Sequence, residues 1–436
     1  MSVTDRGRPA RLERAEVDHN RSVRAQPPTP LSRLASFLLA CLALPLAAQN
    51  QVWVLDDAPG PGVDFTQLAD ALQVASEGDV LLFRDGTYGP PPFTPYGWGN
   101  ASLSTSLSLI ADTGANVVLQ DWSVFVPSLA EGQRIVVRGL QFVESSLYVQ
   151  QSAGEIVVED CVFPPFPTPK PGPLRVLNFL DSAAVHLVRC TIQGQATTGP
   201  FPGPPGHAIR STNTNLYLWD CSVQAGAAAG SVSAGQALIA EGGRVFAQGG
   251  GLVGGPGQAP LPPVFPCGDG GVGVRLLAGA ELILRDASVL GGPVAVGCDG
   301  QAQVGPAFEL LDGSVSNLPG LARSLNVPSP LREGVPGAFS YSGQASDLVL
   351  LAASPLPTTI FDPVFLGGAL VPGITGLQIV SLGVAASGTL PGVLTGPALP
   401  TGIEGRELYA QAVAITPGAL VIPSSPTAVT LLASGF

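Results

Sequence analysis

Charge is scarce in this chain: Asp, Glu, Lys and Arg make up 12% of 436 residues, against 55 Gly and 43 Pro. Long amphipathic helices need a charged face and few breakers, so that mixture excludes a helical protein and favours many short strands joined by turns. Basic residues are fewer than acidic ones, 20 against 32, which leaves nucleic acid and anionic membrane without an electrostatic footing. Histidine is rarer still, with three in the whole chain. Hydrophobic runs are short: the most apolar, residues 34–46, falls below the length of a membrane span. Apolar residues nevertheless reach 45%, enough for a packed core despite a Gly and Pro content near that of disordered chains.

What is present is ordered along the chain. Residues 1–48 carry seven Arg, then the run 34–46, then Ala47 and Ala48 ahead of Gln49, the layout of a secretory signal peptide with an extended basic arm. Cleavage is expected before Gln49, giving a secreted chain of 13 basic and 28 acidic residues, and N-terminal sequencing of exported protein tests this. Cys41 sits in a lipoprotein-like setting, but apolar residues continue past it.

A repeat dominates the centre. Ile135-Val136-Val137-Arg138-Gly139-Leu140-Gln141-Phe142 is followed by segments opening at Ile156, Val185, Leu216, Val245 and Leu282, with places one, three and eight apolar in nearly every copy. Apolar residues at places one and three mark a strand with one buried face, and Asp-Cys or Gly-Gly at places five and six marks a turn. The offsets of 21, 29, 31, 29 and 37 residues set a minimal coil of 21, with the surplus in loops. A second strand pattern, Gly206-His207-Ala208-Ile209 and Gly235-Gln236-Ala237-Leu238, opens ten residues before the next place one. Phe308 to Val315 reads as a seventh copy or as one of these preceding strands. A fixed period of this kind implies stacked coils sharing one core. Ahead of them, Phe65, Leu68, Leu72 and Ala75 fall at helical spacing within residues 64–76, behind an N-cap candidate and before the strand at Val80.

The helix, Gly78-Asp79-Val80, Gly86-Thr87-Tyr88 and coils such as Val188-Arg189-Cys190-Thr191-Ile192-Gln193-Gly194 resemble the pectate-lyase-like right-handed parallel β-helix superfamily, over roughly residues 52–318. The fold expected is therefore all-β: a signal peptide over 1–48, a right-handed parallel β-helix solenoid with an N-terminal capping helix over 49–330, and a small β-sandwich-like C-terminal domain over 331–436. The resemblance implies fold more than function, because the superfamily holds lyases, hydrolases, tailspikes and non-catalytic surface proteins.

Candidate site residues follow from the repeat. Place five stacks Asp160, Arg189 and Asp220, either an ion-pair ladder or, as the resemblance to calcium-dependent lyases implies, acidic groups beside an arginine base. Gly206-His207-Ala208 and Arg210 faintly resemble polygalacturonase elements, but the Asn-Thr-Asp and Asp-Asp segments carrying that family's general acid and base are missing. Place two places His186, Tyr217 and Phe246, with Trp219 beside them, on the outer face of three successive coils: either a platform for the apolar faces of sugar rings or packing under a loop or the C-terminal domain. Cys161, Cys190 and Cys221 share place six and read as unpaired core filler. Cys267 and Cys298, 31 residues apart, are disulfide candidates, and the adjacent Asp269 and Asp299 offer calcium, the one cofactor considered, an alternative site. The loops 164–173, 193–205 and 253–266 are expected to leave at one corner. Function is read as binding polysaccharide or a cell-surface or matrix partner through the lateral face. The alternative is a polysaccharide lyase or glycoside hydrolase on acidic polysaccharide.

Overall fold

The computed structural model describes residues 50–91, 99–165, 176–196, 206–227, 234–257, 267–294 and 302–436. The expected signal peptide therefore lies outside the described residues, as does most of each of the three loops expected at one corner.

The chain is all-β, with large parallel sheets. Its repeat becomes three rows of short strands, each pairing in parallel with its equivalent one period along the chain. Row one runs through Val52–Leu55, Asp79–Phe83, Leu107–Ala111, Arg134–Arg138, Glu155–Glu159, Ala184–Val188, the second halves of Ile209–Trp219 and Leu238–Gln248, then Glu281–Arg285 and Ser314–Asn317. Its register is that of the repeat: Ile135, Ile156, Val185, Leu216, Val245 and Leu282 are direct neighbours. Row two takes Gly99–Ser102, Trp122–Pro127, Ser146–Gln150, Leu177–Leu180, the first halves of the two long strands, Val274–Leu277 and Phe308–Leu310. Phe308 pairs with Val274, so the ambiguous seventh copy is a row-two strand, and place one of the next row-one strand falls at Val315 beside Leu282.

Row three, from Gly86–Tyr88 to Ser288–Leu290, forms a separate eight-stranded sheet. Places one, three, six and eight turn inward, and their side chains with those of row two build one continuous core. Place five is the corner between rows one and three. It adopts the left-handed conformation in all six copies, with φ between 50° and 75° at Gly139, Asp160, Arg189, Asp220, Gly249 and Asp286. Gly reaches that region without strain and Asp tolerates it, which is why those residues recur there. The segments 92–98, 166–175, 197–205, 228–233, 258–266 and 295–301 each fall between a row-three strand and a row-two strand.

The helix is Leu68–Val74, shorter than the stretch 64–76 that the spacing suggests, and Gln67 occupies its N-cap. Asp64 instead accepts the backbone N–H of Val54 at 2.8 Å, and Phe65 bridges to Leu55, so the first helical turn is replaced by contact with row one. Beyond the rows, antiparallel pairing begins at Ser324–Asn326, ahead of the boundary expected at 331, because this strand pairs with Pro336–Ser342. A three-stranded and a five-stranded sheet share a core of Leu325, Tyr341, Val349, Leu351, Ala410 and Leu431. Among the described residues no helix is long and apolar enough to cross a membrane.

Candidate functional site

The outer face of row one carries the columns the repeat placed there. Val136, Val157, His186, Tyr217, Phe246 and Ile283 stand in register at place two. The His186 and Tyr217 rings stack at 4.7 Å and 12°, and Trp219 meets Phe246 edge-on at 5.1 Å. The strip is not open. His186, Trp219 and Phe246 are 0% exposed and Tyr217 4%. Ala369, Val371, Tyr409, Ala428 and Leu432 of the C-terminal sheets close over them in a second apolar core. The four residues expected to bind substrate are packing, since strands Gly405–Ile415 and Val421–Leu432 supply the apolar face this strip needs.

A polar cluster lies in the same seam. His186 Nε2 is 3.0 Å from Glu155 Oε2 and 2.8 Å from Thr359 Oγ1, while Thr359 donates its hydroxyl to Glu155 Oε2 at 2.8 Å and its N–H to Oε1 at 2.8 Å. Burial raises the Glu155 carboxyl, but hydrogen bonds from His186 and Thr359 outweigh it and hold it below the usual range. Trp219 Nε1 faces His186 Nδ1 at 3.5 Å, so Glu155 and Thr359 both sit at Nε2. Hydroxyl and carboxylate thus meet the same ring nitrogen. A nucleophile relay needs them on opposite nitrogens, so the cluster orients and locks rather than activates Thr359.

Place four holds Arg138, Glu159, Val188, Trp219, Gln248 and Arg285 in register, all buried. Glu159 accepts from Thr427 Oγ1 and Ala428 N, and its Oε1 sits 3.3 Å from Arg138 Nη1. Arg138 donates to Ala428 O at 2.7 Å and Val327 O at 2.8 Å. Alternate residues on a strand share a face, so the charges at this place were the available signal that the outer face of row one was covered.

At place five, Arg189 Nε and Nη2 grip Asp160 at 2.8 and 3.0 Å, Nη2 also meets Glu159, and Nη1 donates to Leu325 O at 3.0 Å. Burial opposes its charge, but Glu159 and Asp160 outweigh that and hold the guanidinium protonated well past its ordinary range. Arg189 is thus committed to Asp160 and Glu159, and among the described residues no ion pair joins it to Asp220, so the ladder is paired on one side alone. Asp220 is different: burial, with the charge of Asp286 adding, pushes its carboxyl up to about 6 against a Ser425 hydrogen bond and Arg189. A folded value above the unfolded value of about 3.9 means this group favours folding below about pH 4 and loses that contribution as pH rises through 6. Asp220→Asn, equally suited to the left-handed corner, should therefore stabilise by about 1 kcal/mol at pH 7.5, the gain shrinking toward pH 4 in paired thermal melts. A gain that is constant with pH would disprove the assignment.

His207 and Arg210 separate by role. His207 Nδ1 accepts from Gln236 N at 3.3 Å, and Arg210 pairs with Glu241 at 2.8 Å, so neither is joined to the place-five ladder. Cys161, Cys190 and Cys221 are free and buried, each Sγ donating to a backbone carbonyl, and burial pushes the Cys161 thiol up to about 12. Cys267 is disulfide-bonded, and with those three free its partner lies outside the described residues, where Cys298 and Asp299 also fall. Asp269 accepts the backbone N–H of Gln303 at 2.7 Å.

With row one covered, the aromatic lateral face that remains is row two. Ser102, Phe125, Tyr148, Asn178, Arg210, Ile239, Arg275 and Glu309 form one in-register outward column, half-buried for most of its length. Arg210–Glu241 and Arg275–Glu309 at 3.3 Å keep it near neutral. Comparison with protein-family models, with curated proteins and with solved structures finds no match to this chain.

Proposed function

We propose that the three rows wind as a right-handed parallel β-helix of the pectate-lyase-like kind, exported by the segment before Gln49, and that it binds polysaccharide or a cell-surface or matrix glycan along row two without cleaving it. The observation that carries this reading is the row-two column. Phe125 and Tyr148 lie on adjacent strands at a spacing of about 4.8 Å, with Asn178 and Arg210 continuing the line. Ring faces flanked by amide and guanidinium donors suit a sugar chain, whose units present apolar faces edged by hydroxyls. The non-catalytic reading is supported by engagement: Arg189 is held by Glu159 and Asp160, and the His186 cluster lies under the C-terminal strands.

The test is retention of the secreted chain on insoluble polysaccharides. Phe125→Ala with Tyr148→Ala should weaken retention roughly thirtyfold, from about 1 kcal/mol per ring, with little change in melting temperature. Retention equal to the parent would overturn the row-two assignment. New reducing ends or unsaturated uronate absorbance on incubation would overturn the non-catalytic reading.

A further inference from the structure

Arg285, the last member of the place-four column, differs from Arg138 and Arg323, two other buried arginines of the seam. Arg138 faces Glu159 and Arg323 faces Asp347, but Arg285 has no carboxylate partner among the described residues. It is 1% exposed, its Nε donates to Pro319 O and its Nη1 to Gln248 Oε1, each at 3.2 Å, and Nη2 makes no hydrogen bond among the described residues. Burial and the nearby charge of Arg323 lower it to about 10, so it remains a cation at neutral pH. A buried cation without a counter-charge is costly, which favours an anion beside it.

The guanidinium lines a cavity of about 130 Å³ shared with Pro319, Val364, Phe365, Leu420 and Ile422. Its mouth is apolar and open, with Val364 81% and Phe365 78% exposed, and Asp362 braces this loop by accepting the N–H groups of both residues at 2.9 Å. Gly367, at φ 55°, keeps the space beside the guanidinium: a Cβ there would lie 2.9 Å from Nη2. The geometry points to a binding site for a small monocarboxylate with a branched aliphatic tail, its carboxylate on Arg285 and its tail against Val364, Phe365 and Leu420. The volume is near that of cavities that take one small molecule, which admits a short acid. None of these residues belongs to the row-two column, so the site stands or falls independently of glycan binding.

The experiment titrates the secreted chain with sodium isobutyrate at constant ionic strength, by calorimetry and thermal melts, with isobutyramide as the uncharged isostere. Isobutyrate should bind and raise the melting temperature, and isobutyramide should do neither. Arg285→Gln should weaken binding at least tenfold. Should that variant fail to fold, Phe365→Glu, which sets a negative charge at an exposed mouth position, should weaken binding comparably with Arg285 in place. Equal effects of acid and amide, an identical response to inorganic phosphate or chloride, or parental affinity in Phe365→Glu would overturn the proposal.

Discussion

Glu159→Ala should lower the melting temperature of the protein by about 10 °C, the expected result of losing about 3–5 kcal/mol in a large protein. The carboxylate is fully buried and holds four groups at once: Arg138, Arg189, the Thr427 hydroxyl and the Ala428 N–H. Its removal leaves Arg138, 5% exposed, with Asp160 at 3.2 Å as its remaining carboxylate, and leaves a backbone donor of the last strand unsatisfied. Because Thr427 and Ala428 belong to Val421–Leu432 while Glu159 belongs to row one, the loss falls on the seam between the parallel rows and the antiparallel sheets. Replacing Arg138 and Glu159 together by Met should recover part of the loss, since the uncompensated cation goes with its partner. A melting temperature within 2 °C of the parent in Glu159→Ala would show that the seam does not depend on this network, taking about 1 kcal/mol as the corresponding limit.

Trp219→Ala should cost about as much by a different route, roughly 3–5 kcal/mol from a cavity beneath strands that cannot collapse to fill it. The indole is 0% exposed, edge-on to Phe246 and beneath Tyr409 and Ala428. Retention on polysaccharide, measured on the folded fraction, should be unchanged. That pairing of outcomes separates packing from recognition: a sugar platform would lose retention at little cost in stability. An unaltered melting temperature with lost retention would mean that the C-terminal sheets do not cover row one in solution.

The alternation of the eight-residue repeat was enough to set the register of row one, because apolar residues at places one and three and a turn at place five leave a strand only one way to present its buried face. The left-handed corner was legible for the same reason, as Asp and Gly recur where side chains with a Cβ are strained. Arg189 broke that pattern, and its grip on Asp160 explains the exception. Row three was not legible: its strands, such as Thr191–Gln193, are too short to show a period.

What the sequence determined by itself was therefore local and repetitive: the strand type, the spacing, the in-register columns of His186, Tyr217 and Phe246, and the stack of free cysteines. What only the tertiary structure decided was which side of those columns meets water. Strand alternation states that place two points away from one core, but it is silent on whether a second core lies beyond. Residues near the end of the chain supply that second core: Tyr409, Ala428 and Leu432 stand roughly two hundred positions from the strip they cover. The same long-range closure paired Glu155 with Thr359 and Glu159 with Thr427. It also left Arg285 facing a cavity, for no spacing within a repeat can report a contact made by a segment outside it.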